Sequence, residues 1–221
     1  MARCARMIAR VTAAALLAVA SVAIDAAESD LSLNARLLMA ARDSDAAGVA
    51  RALAGGASPN ARNRLGETAL VVALKKKDDA IAAAMLDAGS DVNLAALNGV
   101  TPLMAAAFNG QLPLAQALLA RGADPAALDR IGKNAMTYAA GEGHAAVVRL
   151  LLDKGVDPNA LYRNDLSALM WAAGYGRTEA ARTLLAAGAR TALRDNRGKT
   201  ALDMAREAGH AGTVRLLEEW R

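Results

Sequence analysis

A fixed period runs through the chain. Glycines stand at Gly66, Gly99, Gly132 and Gly198 on a 33-residue step, with Asp165 in the one gap. A second series on the same step is Gly110, Gly143, Gly176 and Gly209. A third is Gly56, Gly89, Gly122, Gly155 and Gly188. Three independent series with one period and no insertion point to a repeat architecture. Each unit of such a stack buries its apolar face only against its neighbours. The register divides the chain into 30–62, 63–95, 96–128, 129–161, 162–194 and 195–221. The first unit lacks the Thr-Pro-Leu segment and the last lacks the Gly-Ala-Asp loop, so both are expected to be caps. No second domain or linker is expected.

The unit from Asn98 to Leu128 reads NGVTPLMAAAFNGQLPLAQALLARGADPAAL. Thr68, Thr101, Ser167 and Thr200 stand where a helix should start, and a hydroxyl there accepts from orphan backbone N–H groups. Pro102 follows at the first helical position, where its missing N–H costs nothing. Leu103, Ala106 and Ala107 give a short helix its apolar face, and Gly110 ends it. Leu114, Ala117, Leu118 and Leu119 form the stripe of a second helix. Gly122 lies at its C-terminal end, where a left-handed residue is wanted. Asp165, which replaces glycine at a turn, tolerates that region better than most residues. Apolar residues are 54% of the chain and aromatics only 3%, so small and unbranched helix formers carry the core. The fold class is all-α.

This unit, and GEGHAAVVRLLLDKGVDPNA from Gly141 to Ala160, resemble the ankyrin repeat pattern G-x-T-P-L-H-x-A-A-x-x-G-H-x-x-V-x-L-L-L-x-x-G-A-D-x-N-A. The resemblance spans residues 30–221. It implies an ankyrin-repeat solenoid of helix-turn-helix units with short β-hairpin-like turn tips. The histidine of Thr-Pro-Leu-His is replaced throughout, by Val71, Met104, Thr137, Met170 and Asp203. In the family that histidine ties the turn to the helix start, so its loss is expected to cost turn rigidity.

Ahead of the repeats, residues 1–10 carry Arg3, Arg6 and Arg10 and no acid. An apolar run from Val11 to Ile24 follows. A basic start, a short apolar stretch and small residues at its end describe a secretory signal peptide over 1–27, cut near 20–27. The run is shorter than the roughly 20 residues that span a bilayer, so no stable membrane insertion is expected after cleavage. The Ala- and Arg-rich composition suggests a bacterial source, and with it a periplasmic destination by the general secretory route. Removing the three arginines leaves 23 basic residues of 26 against 22 acidic, or 21 if Asp25 also leaves. A near-neutral chain lacks the positive excess that nucleic acid requires. Cys4 also lies in this segment, before the apolar run rather than after it, so no lipid anchor is expected.

No catalytic constellation, cofactor site or metal site is expected. His144 and His210 both follow a repeat glycine and read as turn residues. Two packed layers separate them by roughly 16–20 Å, against metal bonds of about 2 Å. Gly141-Glu142-Gly143-His144-Ala145-Ala146 matches G-x-G-x-x-A, but a dinucleotide site needs a preceding strand. Tyr138 and Trp171 are expected mainly to fill the groove between helices, and Phe108 and Tyr175 to face outward near first-helix ends.

The resemblance implies that partners meet the turn tips and the first-helix face. By register that surface holds Arg64, Lys75, Lys76, Asn98, Phe108, Asn109, Arg130, Lys133, Arg163, Tyr175, Arg197 and Lys199. Its basic surplus favours an acidic partner. The expected function is therefore a monomeric, non-enzymatic module that binds another periplasmic or envelope protein through a concave face. The alternatives are an inhibitor or immunity protein that blocks a toxic enzyme, and a structural assembly subunit.

Overall fold

A computed structural model describes residues 32–220, and the expected signal peptide lies outside them. Twelve α-helices form among the described residues, in six consecutive pairs. The pairs are α1 (Leu33–Asp43) with α2 (Ala46–Ala54), α3 (Ala69–Lys76) with α4 (Asp79–Asp87), and α5 (Pro102–Asn109) with α6 (Leu112–Ala120). They continue as α7 (Ala135–Glu142) with α8 (Ala145–Asp153), α9 (Ala168–Gly174) with α10 (Thr178–Ala186), and α11 (Ala201–Glu207) with α12 (Ala211–Glu219). A short 3-10 turn, Arg163–Asp165, precedes α9. The only trace of β structure among the described residues is a bridge between Arg62 and Thr68 across one hairpin tip.

First helices stack on first helices, and second helices on second helices. The first-helix layer is the tighter one, for a reason visible in the sequence. In α5 every residue from Pro102 to Ala107 is buried, because this helix is covered by neighbours on both sides. Three of those six are alanines, which let backbones approach closely. In α6 only Leu114, Ala115 and Leu118 are buried, and the opposite face is wet. A stack that is tighter along one side bends toward it, so first helices and tips take the concave side. Leu37, Leu70, Leu103, Met136 and Leu169 continue the core from unit to unit.

The helix starts correct one expectation. Thr68, Thr101, Asn134, Ser167 and Thr200 each cap a first helix by accepting from the backbone three residues on. In four units the residue replacing the family histidine reaches back to the cap N–H. Met104 Sδ accepts at 3.5 Å, Thr137 Oγ1 at 3.0 Å, Met170 Sδ at 3.4 Å and Asp203 Oδ2 at 2.9 Å. The tie between turn and helix therefore survives loss of the histidine. Val71 alone has no acceptor to offer.

His144 and His210 serve the stack itself. Their Nε2 atoms pair with the carbonyls of Phe108 at 2.9 Å and Gly174 at 3.1 Å in the preceding units. A carbonyl only accepts, so each Nε2 carries the proton. Arg177 Nε plays the same part toward Gly141 O at 3.0 Å.

Tips are joined by backbone bonds. Leu97 N–H donates to Leu65 O at 2.9 Å, Arg130 N–H to Asn98 O at 3.0 Å, and Asn196 N–H to Asn164 O at 3.0 Å. The approach is so close at Gly99 that a Cβ would lie 2.8 Å from Asp129 Cα. That residue also has φ +84°, so both space and backbone demand glycine there.

Candidate protein-binding face

The first-helix face and tips carry a short aromatic ladder. Phe108, at the end of α5, is 46% exposed and meets Tyr138 of α7 edge to face at 5.9 Å. Trp171 of α9 stacks on Tyr175, which is 53% exposed, with ring centroids 5.9 Å apart. Lys133 bridges the two pairs, its Nζ 3.7 Å from the Trp171 ring centre and 5.4 Å from that of Tyr138. Such cation–π contacts are stronger when partly desolvated. Burial holds the Lys133 ammonium below the ordinary lysine value, against the pull of Asp129 and Glu142.

Repeat register explains why Lys133 meets rings rather than an acid. Its equivalents are Glu67, Val100, Leu166 and Lys199, and eight residues on stand Lys75, Phe108, Gly174 and Glu207. The same two positions hold an ion pair in unit two, Lys75 to Glu67 at 2.7 Å, and its charge-swapped copy in unit six, Lys199 to Glu207 at 2.6 Å. Eight residues after Lys133 stands Gly141, which has no carboxylate to give. A Cβ added at Gly141 would lie 3.8 Å from the Tyr175 ring, so the bare helix there is covered by aromatics of the next unit.

The twelve candidate residues divide by what they touch. Lys75, Lys199 and Arg197 are matched, the last by Asp195 at 2.8 Å. Lys76 donates to the Arg42 carbonyl. The Asn109 amide donates to Leu74 O at 2.8 Å and joins units rather than facing outward. Asn98 accepts from its own turn, Oδ1 to Val100 N–H at 3.1 Å. Arg64, Arg130 and Arg163 are exposed, with no ion pair among the described residues. Together with Lys133, Phe108 and Tyr175 they form the part of the face with unspent chemistry. Seven of the nine ion pairs among the described residues have at least one partner half exposed or more, which makes each of those worth little to stability.

Tyr138 and Trp171, expected mainly as groove fillers, and three tip residues that the register reading left out also belong to this face. Tyr138 and Trp171 are only partly buried. Tyr138 donates to Asp129 Oδ2 at 2.6 Å, and burial with that carboxylate drives its phenol pKa upward. Its ring joins Phe108, Met104, Val100 and Lys75 around a groove of about 220 Å³. Leu65, Leu97 and Ile131 are exposed at the tips of three successive units. Leu65 and Ile131 share one register position with Asn98, and Leu97 shares that of Arg64 and Arg130, so a register read for polar and basic residues did not flag them.

A family model described as ankyrin repeats (3 copies) matches residues 37–129, 85–162 and 136–219. The chain belongs to the ankyrin-repeat family. A search of curated proteins returns no match. Ankyrin repeats generally mediate protein–protein interaction and are generally non-catalytic. This ankyrin stack fits that role by its form, an open surface made of successive units rather than an enclosed pocket. Among its described residues no group of three or more His, Cys, Asp or Glu is arranged to hold a metal. No helix among them is long and apolar enough to cross a membrane.

Proposed function

We propose that this protein is exported to the periplasm, where as a monomer it binds an acidic surface of another periplasmic or envelope protein through its tips and first-helix face. The observation that carries the reading is one face on which Arg64, Arg130, Arg163 and Lys133 lack a carboxylate partner while Phe108 and Tyr175 stand exposed beside them. Aromatic anchors supply affinity in such interfaces, and unpaired charges supply encounter rate and selectivity. Export is supported by the basic-then-apolar start of the sequence.

Photo-crosslinking residues placed at Phe108 and Tyr175, and for comparison at Arg149 and Arg182 on the second helices, test the face. One specific protein adduct from the first pair and none from the second is the expected result. Adducts from the second pair alone would move the interface to the convex side. Intact mass tests export, with loss of about 20–27 residues expected and a full-length soluble chain refuting it.

A further inference from the structure

The backbone bond that joins neighbouring tips is missing at one junction. By register, Arg163 N–H should donate to Ile131 O as Leu97, Arg130 and Asn196 do to their counterparts, and this bond has no equivalent there. The cause lies in the sequence. Asp165 replaces the tip glycine of unit five, and it and Asn164 both adopt left-handed backbone, at φ 59° and 64°. The tip winds into a 3-10 turn and its backbone stands off from unit four. A Cβ built on Gly132 would be 3.6 Å from Arg163 N, whereas at Gly99 the corresponding distance, to Arg130 N, is 2.9 Å.

The space left is a cleft of about 310 Å³. Its floor and walls include Ile131, Lys133, Tyr162, Arg163, Leu166 and Trp171, with no carboxylate among the lining residues. Both cations lack an ion pair among the described residues: Arg163 is exposed on the tip, and Lys133 lies on the Trp171 ring for want of an acid at Gly141. The volume is at the bottom of the ~300–1,000 Å³ range of small-molecule sites, with room for a side chain or two. The cleft thus combines a half-buried indole, two cations without an ion pair among the described residues, and a backbone donor and acceptor without their cross-tip bond.

We infer that the cleft between the tips of units four and five receives an extended acidic segment of the partner protein, its carboxylate recognised by Lys133 and Arg163 and an adjoining apolar side chain packed on Trp171. This rests on the protein-binding reading above and adds the position and chemistry of its anchor. An extended segment also offers its own N–H and C=O to Arg163 and Ile131, as a strand does at an open edge.

Trp171 is a built-in reporter. The chain has two tryptophans, and Trp220→Phe leaves Trp171 alone. The mature Trp220→Phe protein is titrated with a capped octapeptide of alternating Glu and Leu, and with Lys–Leu and Glu–Ser counterparts. A saturable change in Trp171 emission is expected with Glu–Leu, at least tenfold weaker with either counterpart. Lys133→Gln combined with Arg163→Gln should weaken Glu–Leu binding at least tenfold with unchanged far-UV circular dichroism. Arg163→Gln alone, an exposed tip change, gives a smaller loss and stands in if the double variant does not fold. Arg149→Gln with Arg182→Gln, on the second helices away from this face, should change affinity less than twofold. No saturable change at millimolar Glu–Leu, equal binding of Lys–Leu, or undiminished binding by the Arg163→Gln and double variants would each overturn the inference. Specific crosslinking at Phe108 or Tyr175 alongside any of those results would leave the protein-binding reading standing and remove only this cleft.

Discussion

A ladder of asparagines on the loops between units has one missing rung, and restoring it should stabilise the stack. Asn93 Oδ1 accepts from Asp124 N–H at 2.8 Å, and its Nδ2 donates to Gly122 O at 2.9 Å, joining units two and three. Asn159 does the same toward Arg190 N–H at 2.8 Å and Gly188 O at 3.0 Å, joining units four and five. Ala126 occupies this position between units three and four. Its backbone is already in place, because Ala126 N–H donates to Asp124 at 2.8 Å as Asn93 N–H donates to Asp91 and Asn159 N–H to Asp157. Ala126→Asn can therefore reach Asp157 N–H and Gly155 O without moving the loop. Two hydrogen bonds at about 0.5–1.5 kcal/mol each, less roughly 1 kcal/mol for fixing the side chain, give a net gain of about 1 kcal/mol. With a urea slope near 2 kcal/mol/M the midpoint should rise by about 0.5 M. Asn93→Ala should lower it by a similar amount. An unchanged or lowered midpoint for Ala126→Asn, with the slope unaltered, would refute the idea that these loops are tied by equivalent geometry.

Leu118 is fully buried in the third unit, and Leu118→Ala should cost about 2–5 kcal/mol in urea melts. A cost under about 0.5 kcal/mol would remove it from the core. Asp203 is held below its ordinary carboxyl value by the Thr200 N–H and hydroxyl, and Asp195 and Glu67 are also lowered, hydrogen bonds and cations outweighing their burial. Groups lowered by folding contribute stability that is present above their unfolded values and lost as pH falls through the folded ones. Thermal midpoints should hold above about pH 5 and drop below about pH 4, the drop being shallower in Asp203→Asn. Phe108→Ala and Tyr175→Ala, both folded by circular dichroism, should each weaken partner binding by more than about 1 kcal/mol. Unchanged affinity would take the aromatic ladder out of the interface.

The helix pairs were legible because their signals are local. A cap hydroxyl acts on a backbone group three residues away, and a left-handed turn leaves a glycine wherever it recurs. Even the exception could be read, since Asp165 takes φ 59° as an Asp can. Its effect on the neighbouring unit could not. The lost bond between Arg163 and Ile131 depends on where the whole tip goes. The replacements for the family histidine were misjudged for a different reason: a methionine sulfur or a threonine hydroxyl can reach back as an imidazole does, and a consensus does not show it. On the face, the charge-swapped pairs Glu67–Lys75 and Lys199–Glu207 were readable in principle, because they share a register. Counting basic residues without that register overstated the free charge. The Lys133–Trp171 stack joins side chains 38 residues apart in different units and has no periodic trace.

The bonds between units also govern how a chain of this kind can change its length. Asn60, Asn93 and Asn159 each reach a residue 31 positions on. His144, Arg177 and His210 each reach back 36. Duplicating or deleting a whole unit leaves each of these side chains facing a backbone group of the same kind. Gaining or losing one residue between Asn93 and Asp124 breaks that rung, and the same slip inside a helix turns its apolar face toward water. Length is thus quantised in steps of 33 residues: the architecture tolerates a whole missing unit more readily than a single missing residue within one.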